Sequence, residues 1–285
     1  MSTDGVIWMP GAPVADAVLA DVTARVAVLA AAGRSVGLGT ILVGDDPASA
    51  GYVRKKHETC EQVGIGSHHI DVAAGDQAGL DEAVRRFNDD PAVDAFLIQN
   101  PTPGCDFNAA VAAIDPSKDA DGLHPHNLGL LALGAPGPRP CTPVGIVAML
   151  RHYEVPVAGR HVVVVGRGPT LGRPLSMLLS LKEPGANAAV TTVHTGVPNI
   201  ADYTRQADIL IAAAGVPNMI QPDMVRPGAC VVGGGMTFEG RRVLSDVDEA
   251  CAEVAGWMTP RLGGVGPTTV ALLLSNTVSC AERRA

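Results

Sequence analysis

A tyrosine and a lysine one helical turn apart are the first residues whose types and spacing point to chemistry. Tyr52 and Lys56 lie at positions i and i+4 of a segment predicted to be helical, so their side chains share a face. A lysine that loses part of its hydration has a lowered pKa and can act as an acid or a base near neutral pH. On its own, a Tyr–Lys pair at this spacing is more often part of a solvated helix surface. A catalytic interpretation therefore needs further polar residues near the lysine.

Two further polar segments would meet this lysine at one edge of a sheet. Gln99 ends an apolar run, and the prolines Pro101 and Pro103 make the loop after it rigid. A polar connector further along contains Asp121 within the sequence Lys-Asp-Ala-Asp-Gly. Because clefts in parallel sheets lie at the carboxyl ends of the strands, we expect Gln99 and Asp121 to converge on Lys56.

A glycine-rich turn follows a strand that contains four consecutive valines. The sequence after Val165 is Gly166-Arg-Gly-Pro-Thr-Leu-Gly172, a GxGxxxG pattern one residue longer than the usual GxGxxG. Glycines let the backbone approach a pyrophosphate, and the N-terminus of the next helix favours an anion. A tight turn without a ligand is the alternative, but the preceding strand favours a dinucleotide site.

The end of the following strand indicates which dinucleotide binds. An NAD site usually carries Asp or Glu there to hold the ribose 2′-hydroxyl, whereas this strand ends His-Thr-Gly at residues 194–196. Without the acid, a 2′-phosphate meets no repulsion. Arg167, Arg173 and Thr195 would supply positive charge and a hydrogen bond, so the sequence favours NADP over NAD.

The elements that must position these residues alternate between strand and helix, which predicts parallel sheets with helices on both faces. We predict two α/β domains, the second a Rossmann-like dinucleotide-binding domain, with a cleft between them. The first domain would span residues 1–140, completed by a C-terminal helix over 267–285, and the second would span 141–266. The predicted strands cover residues 35–43, 67–72, 92–99, 161–165, 189–194, 208–213, 229–233 and, as a short strand, 256–259. The predicted helices cover residues 47–64, 80–88, 143–153, 171–181, 199–206 and 267–281.

Composition excludes several function classes. Of the 285 residues, 47% are hydrophobic and 18% charged, which is enough apolar material for buried cores. The net charge of −8 argues against a nucleic-acid partner. The most apolar stretches are interrupted by charges or are too short to span a membrane, and no signal peptide is visible. Six scattered cysteines without a CxxC pair argue against zinc or a disulfide framework. We therefore expect a cytoplasmic protein without a metal.

Several longer motifs occur in a fixed order along nearly the whole chain. Their sequences are Val43-Gly-Asp-Asp-Pro-Ala-Ser49, Gly51-Tyr-Val-Arg-Lys-Lys56, Lys118-Asp-Ala-Asp-Gly122, Pro140-Cys-Thr-Pro143 and Gly263-Gly-Val-Gly-Pro-Thr-Thr269. Together they resemble the bifunctional methylenetetrahydrofolate dehydrogenase/methenyltetrahydrofolate cyclohydrolase family. No single one of these motifs would be specific, but the set is.

The resemblance implies oxidation of 5,10-methylenetetrahydrofolate by NADP+, followed by hydrolysis to 10-formyltetrahydrofolate, in a homodimer of one-carbon metabolism. It implies that Lys56 is catalytic, that Gln99 tunes it, that Tyr52 stacks on the folate and that Asp121 binds the pterin. The remaining substrate-binding positions would be Ser49, Pro101, Gly264 and Pro267, and the cofactor-binding positions Gly166, Arg167, Gly168, Gly172, Arg173, Thr195, Gly234 and Thr142.

The sequence departs from the family pattern at five places. Asn100 and Thr102 replace leucines of the usual Gln-Leu-Pro-Leu-Pro, Gly168 replaces a serine, Gly196 replaces an arginine, and residues 233–236 lack the usual Gly-Ile-Asn. Because three of the four altered segments lie on the cofactor side, we expect NADP to be preferred by a narrow margin.

Other interpretations stay open at this point. The chain could retain only one of the two activities, or it could be an NAD(P)-dependent dehydrogenase of another small substrate. The latter usually needs a histidine–carboxylate pair, and His124, His126 and His152 have no convincing partners in the sequence. A regulatory nucleotide-binding module would bind cofactor without turnover, and the set of Lys56, Gln99 and Asp121 argues against it.

Overall fold

The computed structural model describes residues 5–239 and 242–284. Contacts between residues divide the chain into two compact units. The three-strand unit consists of residues 16–141 together with the described residues from Val270 onward, and the six-strand unit consists of the described residues up to Ala15 together with residues 142–269. No helix in the described ranges is long and apolar enough to cross a membrane.

The strands, in chain order, are β1 (Ile7–Trp8), β2 (Gly37–Val43), β3 (Gly66–Val72), β4 (Ala95–Gln99), β5 (His161–Val165), β6 (Ala189–Val193), β7 (Ile209–Ala212), β8 (Cys230–Gly233), β9 (Met236–Glu239), β10 (Arg242–Ser245) and β11 (Trp257–Met258). The helices are α1 (Ala12–Ala31), α2 (Pro47–Val63), α3 (Gln77–Asp89), α4 (Phe107–Ala112), α5 (Pro125–Ala132), α6 (Cys141–His152), α7 (Gly172–Ser180), α8 (Ala201–Thr204) and α9 (Gly266–Arg283).

The sheet of the three-strand unit has the order β3-β2-β4, and all its strands are parallel. All seven residues of the central strand β2 are buried, because helices cover both faces of such a sheet. Leu38 of β2 belongs to one apolar cluster, with residues of α1 and α9. Ile41 belongs to another, with residues of α3 and α4.

Helix α2 begins and ends where the sequence predicts. The side chain of Asp46 accepts the backbone N–H of Ser49, and Pro47 occupies the first turn, where its missing N–H costs nothing. Gly64 ends the helix with φ of 80°, a left-handed conformation that favours glycine. These local signals fix the direction in which α2 leaves the carboxyl end of β2.

The sheet of the six-strand unit has the order β1-β11-β8-β7-β5-β6, with parallel pairing throughout. Strand β5, which lies between β7 and β6, carries four valines with no exposed surface. They divide between two apolar clusters, one on each face of the sheet. This is the predicted Rossmann-like arrangement, with the glycine-rich turn at the carboxyl end of β5.

Several elements differ from the sequence prediction. We expected residues 1–140 to form one domain, whereas β1 pairs with β11, so the described residues up to Ala15 belong to the six-strand unit. Helices α1, α4 and α5 and the antiparallel β9–β10 hairpin were not predicted. Strand β4 starts at Ala95 rather than residue 92, because residues 91 and 92 form a turn.

Candidate functional site

Lys56 lies on α2 with its amino group almost completely withdrawn from water. The residue is 9% exposed, and Nζ donates a hydrogen bond of 2.8 Å to Oε1 of Gln99, the last residue of β4. The Nε2 group of Gln99 donates to the carbonyl of Asn100 at 2.9 Å. That second bond orients the amide, so its oxygen faces the lysine.

Burial lowers the pKa of Lys56, and the negative charge of Asp121 partly opposes this shift. Burial also raises the pKa of the Asp121 carboxyl, with the Lys56 charge acting in the opposite direction. The mutual influence shows that the two groups lie in one electrostatic environment. The structure thus joins Lys56 to Gln99 by a hydrogen bond, and the charges of Lys56 and Asp121 act on each other's pKa.

Buried hydrogen bonds hold the segment 118–122, which contains Asp121. Asp119 is 1% exposed, and its carboxylate accepts the N–H of Gly122 at 2.9 Å, the N–H of His124 at 2.8 Å and the amide of Asn127 at 2.9 Å. Lys118 donates from Nζ to two backbone carbonyls, both at 2.8 Å. These two charged residues of the motif are structural.

Asn276 of α9 links the segment 118–122 to Arg139 by hydrogen bonds. Its Nδ2 group lies 3.0 Å from the carbonyl of Ala120 and 3.0 Å from that of Arg139, and it also contacts Sγ of Cys141 at 3.4 Å. Sequence reasoning missed Asn276. The available signal was an amide in the middle of a helix rich in leucine and valine, because a buried amide normally has partners.

The other predicted substrate positions are divided between the two units: three belong to the three-strand unit and two to the six-strand unit. Tyr52 is half-buried, and burial raises its pKa. Ser49 is buried and donates its hydroxyl to Asp46 at 2.7 Å, whereas Pro101 is exposed in the loop after Gln99. Gly264 and Pro267 belong to the six-strand unit rather than to the unit that holds Lys56.

Polar groups of the altered loop after Gln99 form hydrogen bonds within the three-strand unit. Thr102 is 6% exposed, and its hydroxyl donates to the carbonyl of Cys105 at 3.2 Å. The carbonyl of Pro103 accepts the N–H of Gly75 at 2.9 Å. The threonine thus adds a hydrogen bond within the loop instead of presenting an unpaired polar group.

The glycine turn of the six-strand unit is too tight for side chains at two positions. Gly166 has φ of 124°, and a Cβ there would lie 2.2 Å from the carbonyl oxygen of Ala213. A Cβ on Gly172 would lie 2.3 Å from the carbonyl oxygen of Gly166. Gly168 is exposed, and a Cβ there would meet no described atom within 4 Å. The turn therefore packs closely against the sheet and leaves its outer surface open to an anion.

The remaining cofactor positions follow strands β5, β6 and β8, with the exception of Thr142. Arg167, Arg173 and Thr195 are all exposed near the carboxyl ends of β5 and β6. Gly234 follows β8, and a Cβ there would lie 2.8 Å from the side chain of Leu171. Thr142 belongs to α6 and accepts a hydrogen bond of 3.2 Å from the hydroxyl of Thr269.

The fold and these two clusters define an α/β dehydrogenase with a glycine-turn dinucleotide site and a separate buried lysine. The sequence model for the tetrahydrofolate dehydrogenase/cyclohydrolase catalytic domain matches residues 9–121, and the model for the NAD(P)-binding domain of that family matches residues 140–285. The chain belongs to the tetrahydrofolate dehydrogenase/cyclohydrolase family, as the resemblance predicts.

Relatives and solved structures agree with this assignment. The chain is 63% identical over 279 residues to the bifunctional protein FolD of Syntrophotalea carbinolica, covering 97% of this chain and 96% of the relative. The structure of the bifunctional FolD from Campylobacter jejuni aligns with a TM-score of 0.92 at 35% identity, covering 98% and 100% of the two chains. The Trypanosoma brucei enzyme, solved with NADP and an inhibitor, aligns with a TM-score of 0.91 at 33% identity, covering 99% of each chain.

Substituting Asp119 by alanine should lower the free energy of unfolding far more than a comparable change at the surface. Removing the carboxylate leaves three donors without their acceptor, and we expect a loss of about 3 kcal/mol or more. Asp106→Ala is the matched control, because Asp106 caps α4 at an exposed site and should cost about 1 kcal/mol. Urea titration of both variants measures the difference. Equal losses would contradict the structural role of Asp119.

Proposed function

We propose that this protein oxidises 5,10-methylenetetrahydrofolate to 5,10-methenyltetrahydrofolate with NADP+ and then hydrolyses the product to 10-formyltetrahydrofolate. The observation that carries the proposal is the buried amino group of Lys56, held by the neutral oxygen of Gln99 and facing the charge of Asp121. Family membership and the bifunctional relatives support it. We further propose that the three-strand unit holds the folate and the six-strand unit holds NADP.

The oxidation transfers a hydride from the methylene carbon to the cofactor, which leaves a methenyl cation. NADP+ supplies the hydride acceptor when it is bound. The protein's contribution is position, since holding two reactants in line supplies much of the rate of such a step. Gly166, Gly168, Gly172 and Gly234 would hold the dinucleotide, and Arg167, Arg173 and Thr195 its 2′-phosphate, with Thr142 as a further contact.

The hydrolysis adds water to the methenyl carbon. The C–O bond forms as the water loses a proton, the bond from that carbon to N5 then breaks, and N5 takes up a proton. Lys56 in its neutral form accepts the proton from water, and as an ammonium it returns a proton to N5. Gln99 accepts one N–H of the lysine without bringing a charge, so it fixes the direction of the amino group and leaves its pKa low.

The remaining substrate positions have supporting roles in this proposal. The Asp121 carboxylate accepts hydrogen bonds from the pterin ring, whose N–H and amino donors match a pair of carboxylate oxygens. The half-buried ring of Tyr52 stacks on the folate, one turn before Lys56 on the same face of α2. Ser49 and Pro101 of the three-strand unit would add further substrate contacts.

We also propose a cytoplasmic homodimer without a nucleic-acid partner. Six free cysteines support a reducing compartment, and the net charge of −8 disfavours phosphate polymers. Sedimentation velocity of the purified chain should give twice the monomer mass of 29.2 kDa. A single monomeric species at micromolar concentration would contradict the dimer.

The central test of the proposed function is the replacement of Lys56. Lys56→Met removes the amino group, and Lys56→Arg keeps a charge that cannot be lost near neutral pH. Both should reduce hydrolysis of methenyltetrahydrofolate by about 10²–10⁴-fold, the usual effect of losing a general acid–base. Because only the neutral amine accepts a proton, the wild-type rate should rise with pH through a pKa below the ordinary lysine value.

Lys55→Met is the matched control for these two variants. Lys55 is the preceding residue on α2, its side chain is 61% exposed, and it pairs only loosely with Glu58 at 3.9 Å. We expect its hydrolytic rate to stay within twofold of wild type. A Lys56→Met variant that hydrolyses methenyltetrahydrofolate as fast as Lys55→Met would refute the assignment of Lys56.

Cofactor preference should respond to charge at position 196. The preference of the wild type for NADP+ over NAD+ should be modest and should shrink as salt rises, because exposed arginine–phosphate contacts are screened. Gly196→Arg should widen the preference by about tenfold, equivalent to ~1.4 kcal/mol, and Arg167→Ala should narrow it. The measurement is kcat/KM for both cofactors at two ionic strengths.

Gly196→Ala is the control that this position requires. A Cβ on Gly196 would lie 2.9 Å from the ring of His194, so any side chain there has to displace the imidazole. The alanine variant has the same contact without the guanidinium. If Gly196→Ala and Gly196→Arg shift the preference equally, the effect comes from His194 and not from a contact with the 2′-phosphate.

A further inference from the structure

Asp246 is a completely buried carboxylate that no step of the proposed reaction uses. It lies just after β10 in the chain and has no exposed surface. One oxygen, Oδ2, accepts the backbone N–H groups of Ala214 at 2.8 Å and Gly215 at 3.0 Å. The other oxygen, Oδ1, is buried without a hydrogen-bond partner in the described part of the chain. Burying a carboxylate costs free energy, so the contacts of Asp246 have to offset that cost.

The two amides that Asp246 holds belong to the loop directly after β7. This loop is otherwise exposed, and Gly215 adopts φ of 67° within it. The carbonyl of Gly215 accepts the hydroxyl of Thr237 at 2.9 Å, from the strand that precedes β10. The loop therefore depends on side chains of the β9–β10 region for its shape.

The same carboxylate also lies against the loop after β8. A Cβ on Gly235 would lie 2.0 Å from Oδ2 of Asp246, so only glycine fits there without moving the carboxylate. The N–H groups of Gly234 and Gly235 both donate to the carbonyl of Ala212, at 2.8 and 3.1 Å. Asp246 thus fills the space between the loops that leave two adjacent strands of the sheet.

The strand order tells which part of a dinucleotide these loops would meet. In a Rossmann-like sheet the ligand crosses the carboxyl edge, with the pyrophosphate at the glycine turn of the first strand. Here that turn follows β5, β6 flanks β5 on one side and β7 and β8 follow on the other. The adenosine half belongs with β5 and β6, so the loops after β7 and β8 lie on the nicotinamide side.

We propose that Asp246 is a positioning residue for the nicotinamide half of the cofactor site, acting by fixing the loop 213–216 after β7. This inference rests on the proposed function. It differs from the contacts implied by the resemblance, because Asp246 acts through the backbone of another segment and not on the phosphates. Burial raises the pKa of Asp246, and the loop N–H groups oppose that shift, as expected for an acceptor that stabilises the loop.

The test compares two ligands by calorimetry in the absence of folate. NADP+ has both halves of the dinucleotide, whereas adenosine 2′,5′-bisphosphate has only the adenosine half with its 2′-phosphate. Asp246→Ala should weaken NADP+ binding by about tenfold, because the loop loses the acceptor of two N–H groups. Binding of the bisphosphate should stay within twofold. Hydrolysis of methenyltetrahydrofolate, which needs no nicotinamide, should also stay within twofold.

Two further variants separate positioning from general destabilisation. Gly235→Ala keeps the carboxyl group but displaces it from the loop, so it should reproduce the selective loss even if Asp246→Ala does not fold. Asp246→Asn retains an oxygen that can accept both N–H groups and should recover most of the affinity for NADP+. Asp248→Ala is the matched control, because Asp248 caps a short 3₁₀ helix two residues further on.

The outcomes are distinguishable. A selective loss of NADP+ binding in Asp246→Ala or Gly235→Ala, absent in Asp248→Ala, supports the proposal. Equal weakening of both ligands, or no weakening of either, overturns it. A wild-type protein that binds neither ligand would instead overturn the proposed use of NADP+, and hydrolysis measured on the same sample tests the folate chemistry separately.

Discussion

The removal of the Lys56 amino group from water is the constraint on which the three-strand unit depends. A buried ammonium is costly unless partners replace its hydration. Gln99 provides one such partner at 2.8 Å, and it is a neutral one. A carboxylate in its place would hold the lysine charged and raise its pKa, whereas an amide oxygen leaves the protonated and neutral forms closer in free energy. Glutamine at this position therefore adds no negative charge to that of Asp121, and burial keeps the pKa of Lys56 below its ordinary value.

That arrangement requires a rigid support, because the second charge near Lys56 comes from a loop. Asp121 belongs to a segment whose neighbours Lys118 and Asp119 satisfy buried backbone groups. Gly122 has φ of 74°, and a Cβ there would lie 2.3 Å from the backbone of Arg139. Within five residues, the motif thus combines two charged side chains that order the chain with a third whose charge acts on the pKa of Lys56.

Local signals explain which parts of this structure the sequence could predict. Asp46, Pro47 and Gly64 define α2 without reference to the rest of the chain, and the valines of β5 define a buried strand. The two-residue strand β1 has no such signal, because its pairing with β11 joins residues about 250 positions apart. Asn276 and Asp246 escaped prediction for the same reason: their partners are distant in sequence, so the residue type alone gave no position for them.

The buried carboxylates of the two units differ in how completely their oxygens are satisfied. Both oxygens of Asp119 accept hydrogen bonds from neighbouring segments, and the residue stabilises a loop. Asp246 uses one oxygen for a loop and has no described partner for the other. Asp121 faces a lysine whose protonation changes during the proposed reaction. Burying a carboxylate costs free energy, and hydrogen bonds to backbone N–H groups offset part of that cost. The backbone groups that Asp246 holds in a distant loop are for this reason a better indicator of its role than its burial.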